Sequence, residues 1–159
     1  MSIGISTIHA MVENMIKGTK ISVEQMKHFI LDALKEDIGE GDHTSLACID
    51  ATDRSKAKLL VKDECVLAGV EFAKFAFEII DPTSTIQIIK EDGEAVSFGD
   101  IAFLVECNSQ ALLKVERLIL NTMQRMSGIA TMANRFKFEV EDLPAVSYTH
   151  LTLPTNREV

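Results

Sequence analysis

The sequence predicts an α+β fold on three observations. Its patterned part opens on a capped amphipathic helix, its middle holds short strand-like runs separated by glycine turns, and it closes on one long helical stretch, residues 109–138. Strands and helices that come in blocks, without strict βαβ alternation, mark an α+β chain. At 159 residues, 47% hydrophobic and 25% charged, the chain has the make-up of a folded domain with a real core. The formal charge of −8 excludes non-specific binding to nucleic acid or anionic membranes, which need a basic surface. No apolar run is long enough to span a bilayer, and the opening residues lack a basic n-region and a small-residue cleavage site, so a cytoplasmic chain is expected. Cys48, Cys65 and Cys107 are widely spaced without a CxxC pair; all three are expected as reduced core residues, with no disulfide framework or zinc site.

Residues 1–20 are weakly patterned and read as an N-terminal extension, with a loose helix around residues 8–16. At Ser22 the signal sharpens: Ser22 and Gln25 make a capping box, in which hydroxyl and amide satisfy reciprocal backbone donors. Val23, Met26, Ile30, Ala33 and Leu34 then form the buried stripe of a helix ending near Glu36. A loop rich in carboxylates and glycine follows over residues 36–45. Asp37, Glu40, Asp42 and His43 could supply oxygen and imidazole ligands to a cation, but the spacing matches no EF-hand. The reading adopted is a helix exit followed by turns that use the acidic side chains as local acceptors.

From Ser55 the pattern changes. Residues 56–62 and 65–69 read as strands, the second closing on Gly69, and residues 70–80 as a helix that Asp81 and Pro82 stop. Phe72 and Phe75 on that helix are core candidates, because no basic residues beyond Lys74 interleave with them as a base-stacking platform needs. Residues 84–90 form the next strand, Asp92-Gly93 a hairpin-type turn, and Val96, the turn at residues 98–100 and a strand over residues 101–106 complete the β portion.

In the long helix, Val115, Ile119, Thr122, Met126, Ile129, Ala133, Phe136 and Val140 recur at three- and four-residue steps and are expected on one buried face. Residues 111–123 are apolar around most of the circumference, so this segment is expected between other elements or subunits. Into it the sequence inserts Glu116-Arg117. Arg117 meets Leu113, Lys114, Leu120 and Asn121 at i±3 and i±4, none of them acidic, so its anionic partner must come from elsewhere in the fold, from a partner chain or from a ligand. Arg125 also lacks an acidic neighbour on the helix, whereas Arg135 and Lys137 have Glu139 and Glu141 four residues on, as on a solvated face.

Residues 116–121 (ERLILN) with residues 125–131 (RMSGIAT) resemble the helix that joins the two domains of the quinolinate phosphoribosyltransferase family (carboxylating nicotinate-nucleotide diphosphorylases). The acidic string of residues 36–44 (EDIGEGDHT) and the strand-turn string of residues 92–100 are similar to signatures of the same family, in the same order. The resemblance implies an enzyme of NAD biosynthesis that converts quinolinate and phosphoribosyl pyrophosphate, with Mg2+, to nicotinate mononucleotide, pyrophosphate and CO2. It implies an open, hammerhead-type α/β N-terminal domain over residues 21–113, then a linker helix and the start of an incomplete α/β barrel over residues 114–143. It further implies a homodimer or higher homo-oligomer in which Arg117 binds a substrate carboxylate in the partner's barrel, a role that suits a guanidinium fork better than a lysine. The alternative for Arg117 is an interhelical salt bridge inside the dimer. No catalytic residue and no metal ligand of this family is expected within the chain.

Residues 144–159 carry two of the three prolines and the one tyrosine and do not continue the helix; they are expected to be a non-native or disordered tail, which removes His150 as a candidate. On that reading the chain is a fragment, inactive alone. Two other readings stand beside it. A related phosphoribosyltransferase-fold protein of molybdenum transport would share the helix. Residues 92–101 also resemble the turn of biotinyl/lipoyl carriers, although no lysine lies in the flanking context that such carriers modify.

Overall fold

The computed structural model of the chain describes residues 22–39 and 41–140. The expectations for residues 1–20, Glu40, Glu141 and residues 144–159 lie outside the described residues. Helix α1, Val23–Ile38, starts at the predicted capping box: the Ser22 amide donates to Gln25 Oε1 at 2.7 Å and the Gln25 amide to Ser22 Oγ at 3.2 Å. It buries Ile30 and Leu34 and ends at Gly39, whose φ of +58° turns the chain away while its N–H donates to the Lys35 carbonyl. A second helix, α2 at His43–Cys48, stands where only turns were expected. Asp42 nucleates it by accepting the Ser45 amide at 3.0 Å and the Ser45 hydroxyl. Six residues are too few for a hydrophobic period to show. Cys48, expected in the core, is exposed at its end; Cys65 is half-buried and Cys107 fully buried, and all three are free thiols.

The β portion is antiparallel throughout. Strands β1 (Arg54–Leu60), β5 (Ile101–Asn108) and β3 (Thr85–Ile88) form one sheet in the order β1-β5-β3, while β2 (Cys65–Val66) and β4 (Ala95–Val96) pair separately. Register places Ala57 and Ile86 on either side of Val105, and Leu59 and Ile88 on either side of Phe103. These residues share the inner face, as the two-residue period of a strand requires. On the outer face Lys56 lies opposite Glu106, with Nζ to Oε2 3.3 Å. Helix α3, Val70–Ile80, lies between β2 and β3 in the chain and buries Phe72, Phe75, Ala76 and Phe77, so the phenylalanines are core as expected. Its N-terminus is capped from afar: the Asp92 carboxylate accepts the amides of Val70 at 2.8 Å and Glu71 at 3.4 Å. Gly93, at φ +92°, lets the same turn donate its N–H to the Leu67 carbonyl.

Helix α4, Ser109–Glu139, packs against α1, α2, α3, β1, β2 and β5. Asn108 caps it through the Ala111 amide. Its buried face departs from the predicted stripe. Val115 and Ile119 are buried as expected, but burial then continues through Met123 and Ser127, while Met126, Ile129 and Phe136 are exposed. The buried residues follow the i+4 row, which shifts by about 40° around the helix at each step, so the covered face turns as α4 advances. Among the described residues one side of residues 111–123 is covered, and Leu113 and Leu120 remain exposed.

The row is set by strand β2. Its free edge offers the amides of Val66 and Ala68, and α4 answers with Thr131 Oγ1 at 2.9 Å and Ser127 Oγ at 3.0 Å; Ser127 Oγ also donates to the Ala68 carbonyl at 3.2 Å. Two strand residues span about 6.6 Å and four helix residues about 6 Å, so side chains at i and i+4 of a helix reach the alternate amides of a strand. Ser127→Ala is therefore expected to leave the Ala68 N–H and C=O without this partner and to lower the unfolding free energy by about 1.5 kcal/mol, read as a fall in urea midpoint at unchanged m-value.

Candidate functional site

The residue singled out by sequence, Arg117, lies on the side of α4 that the domain leaves open. Val115 and Ile119 turn into the core, and Arg117 emerges between exposed Leu113 and Leu120. Its side chain is 74% exposed, so the expected buried charge is corrected to a surface charge at the rim of the helix. Its acidic partner comes from elsewhere in the fold: Nε lies 3.3 Å from Asp37 Oδ1, in the last turn of α1. The pair is interhelical but within one chain. A contact made through Nε leaves the Nη1–Nη2 edge, one of the two guanidinium edges that can grip a carboxylate bidentately, for a ligand.

Asp37 had been weighed with Glu40, Asp42 and His43 as part of a cation loop. Glu40 lies outside the described residues; Asp37 and Asp42 are engaged with separate partners. Asp37 faces Arg117, and Asp42 is spent on capping α2, where the Ser45 hydroxyl and then its amide hold the carboxyl below the usual aspartate range. Among the described residues no three His, Cys, Asp or Glu side chains converge to hold a metal ion. The strand-turn string serves architecture: Asp92 caps α3, and Asp100 accepts the Ser97 amide at 3.0 Å. A hollow of about 580 Å3 opens between the β1–β2 turn and α4, lined by Lys62, Cys65, Gln124, Ser127 and Arg135 among others. Arg117 does not line it. Burial raises the Cys65 thiol there, with Asp63 adding to the shift, so it is a poor nucleophile. No helix among the described residues is long and apolar enough to cross a membrane.

Sequence reasoning missed the pairing of Arg117 with Asp37, since nothing local links a helix exit to a distant helix. It also missed Ser127 and Thr131, whose signal was present as two hydroxyls four residues apart on one face of the helix.

Known proteins agree with this architecture. A family profile described as quinolinate phosphoribosyl transferase, N-terminal domain, matches residues 42–127. The nicotinate-nucleotide pyrophosphorylase [carboxylating], chloroplastic, of Arabidopsis thaliana is 37% identical over 118 residues, covering 74% of this chain and 34% of the relative. A probable enzyme of the same description from Synechocystis is 32% identical over 111 residues, 70% of this chain and 37% of the relative. The crystal structure of NadC from Streptococcus pyogenes superposes with a TM-score of 0.73 at 29% identity over 79% of this chain and 45% of that one. The nicotinate-nucleotide pyrophosphorylase of Francisella tularensis gives 0.70 at 27% identity over 77% and 43%. The chain thus spans about a third of the curated relatives' length. With a profile match over more than half of its residues, this chain belongs to the quinolinate phosphoribosyltransferase family, of which it carries the N-terminal domain.

Proposed function

We propose that the chain is the substrate-capping part of a carboxylating nicotinate-nucleotide diphosphorylase, a cytoplasmic enzyme that joins quinolinate to phosphoribosyl pyrophosphate and releases pyrophosphate and CO2. In this reading residues 21–113 form the N-terminal domain, residues 114–143 lead into a barrel, and two copies pair so that each barrel receives the other's α4. The observation that carries it is Arg117: an exposed arginine side chain, flanked by apolar residues, whose one ion pair among the described residues is made through Nε to Asp37. A dicarboxylate is the substrate such a group recognises. Mg2+ belongs to the proposed reaction, and the part proposed for this chain is to bind and orient the dicarboxylate. The 159-residue polypeptide alone is accordingly expected to give no turnover of quinolinate and phosphoribosyl pyrophosphate.

The test is Arg117→Ala in the complete protein that carries this domain. It is expected to lower kcat/KM for quinolinate by the value of a charge-assisted hydrogen bond, about 1.5–3 kcal/mol, or roughly 10- to 150-fold, with the KM for phosphoribosyl pyrophosphate unchanged. Lysine should not restore it. Unchanged quinolinate dependence with a weakened dimer would overturn the reading in favour of a salt bridge.

A further inference from the structure

We infer that Asp37 is a positioning residue for Arg117: it holds the guanidinium by Nε so that the Nη1–Nη2 edge is presented to the incoming carboxylate. The inference rests on the proposed role of Arg117.

Three observations carry it. First, the ion pair is made from Nε to Oδ1 at 3.3 Å, an approach from the stem side of the guanidinium that does not call on its terminal Nη1–Nη2 fork. Second, Asp37 stands where an acidic residue is locally unfavourable. It is the penultimate residue of α1, directly after Glu36, and the helix dipole places negative partial charge at that end, where cations are preferred. A side chain that works against its own helix needs a reason elsewhere, and the reason on view is Arg117. Third, the backbone that places it is built. The Gly39 turn, hydrogen-bonded back to Lys35, ends α1 at Ile38, and α1 packs on both α3 and α4, which fixes the Asp37 Cα relative to Arg117. The Asp37 side chain is 32% exposed against 74% for Arg117, so the anchor is the more buried member of the pair.

Chemically, an unrestrained arginine samples many rotamers, and binding a carboxylate must freeze them. An anchor at Nε removes part of that cost before the ligand arrives, which improves binding of the ligand without adding a contact to it. Asp37 also lies upstream of residues 42–127, so the profile match says nothing about it.

The test uses the complete protein. Asp37→Asn is expected to raise the KM for quinolinate about three- to fivefold, the range of a partly exposed ion pair, with kcat and the KM for phosphoribosyl pyrophosphate unchanged. The melting temperature should hold or rise, because the variant removes an unfavourable helix-end charge. Asp37→Glu should recover part of the loss. In an Arg117→Ala background, Asp37→Asn should have no further effect on quinolinate KM, since the group it positions is gone. Four results would overturn the inference: an unchanged quinolinate KM in Asp37→Asn, a lowered one (Asp37 then competes with substrate), a fall in melting temperature with KM intact, or additivity in the double variant. If Arg117→Ala itself leaves quinolinate KM at the wild-type value, the role of Arg117 fails first, which keeps the two failures apart.

Discussion

Gly69→Ala is expected to lower the unfolding free energy by about 3 kcal/mol, made up of roughly 1–3 kcal/mol of backbone strain and a similar overpacking cost. Gly69 closes the loop after β2 and caps α3 at φ +101° and ψ 13°, a conformation that an L side chain rarely adopts. A Cβ there would meet Met123 Cγ at 3.1 Å, Met126 Sδ at 3.3 Å and the Met123 Cα at 3.4 Å. The methionine side chains can bend, but Met123 is itself buried and its Cα belongs to an unbroken helix, so relief requires α4 to move off the domain. Gly93→Ala supplies the control. Gly93 has φ +92° and nothing within 4 Å of the added carbon, so it carries the strain alone and should cost about 1 kcal/mol. Denaturant unfolding of both variants separates the two contributions. Equal losses would show that close approach of α4 at Gly69 is energetically unimportant.

That close approach explains what could and could not be read from the chain. Elements announced by their own residues were legible. The capping box of Ser22 and Gln25 marked α1, the stop at Asp81 and Pro82 marked the end of α3, and the length of α4 followed from its apolar period. What failed was the direction in which α4 faces. Within the described residues the stripe through Met126, Ile129 and Phe136 stays exposed, and the domain covers the row that leads from Val115 and Ile119 to Met123 and Ser127. Crossing angle is a property of two surfaces and leaves no trace in one helix's periodicity. Helix α2 was invisible for another reason, its single capping aspartate being indistinguishable in sequence from a turn.

The site was half legible. Arg117 stood out because its helix offered no acidic neighbour, and the structure supplies Asp37 from another helix while leaving most of the guanidinium exposed. Apolar residues around a helix imply a covering partner without saying whether that partner belongs to the same chain, and among the described residues none covers Arg117. Met126, Ile129 and Phe136, exposed here in line with the unfilled part of the predicted stripe, are what a chain spanning a third of its relatives' length would leave uncovered.

Asp81 shows the same limit from the side of stability. In sequence it was only the residue before a helix-stopping proline; in the structure it ties the α3 terminus to the start of α4. Its carboxylate accepts the Thr83 amide at 2.9 Å, the Thr83 hydroxyl at 2.6 Å and the Asn108 amide at 2.8 Å, with Arg54 Nη1 at 3.8 Å. Burial alone would raise its pKa, but the Thr83 and Asn108 hydrogen bonds and the Arg54 charge outweigh that, and the net direction is down. Asp81→Ala is expected to cost about 3 kcal/mol at pH 7, because three donors lose a charged acceptor at a 7% exposed position. The sign of the pH dependence follows from the lowered pKa. An aspartate whose folded pKa lies below its unfolded value of about 3.9 contributes its full stability above that value and loses it as pH falls through the folded pKa. The wild-type chain should therefore lose stability below about pH 4 faster than the variant, and the gap between them should narrow on the way to pH 2. Urea midpoints measured at pH 7, 4 and 2 decide it: a gap that stays constant would mean that the charge of Asp81 contributes nothing.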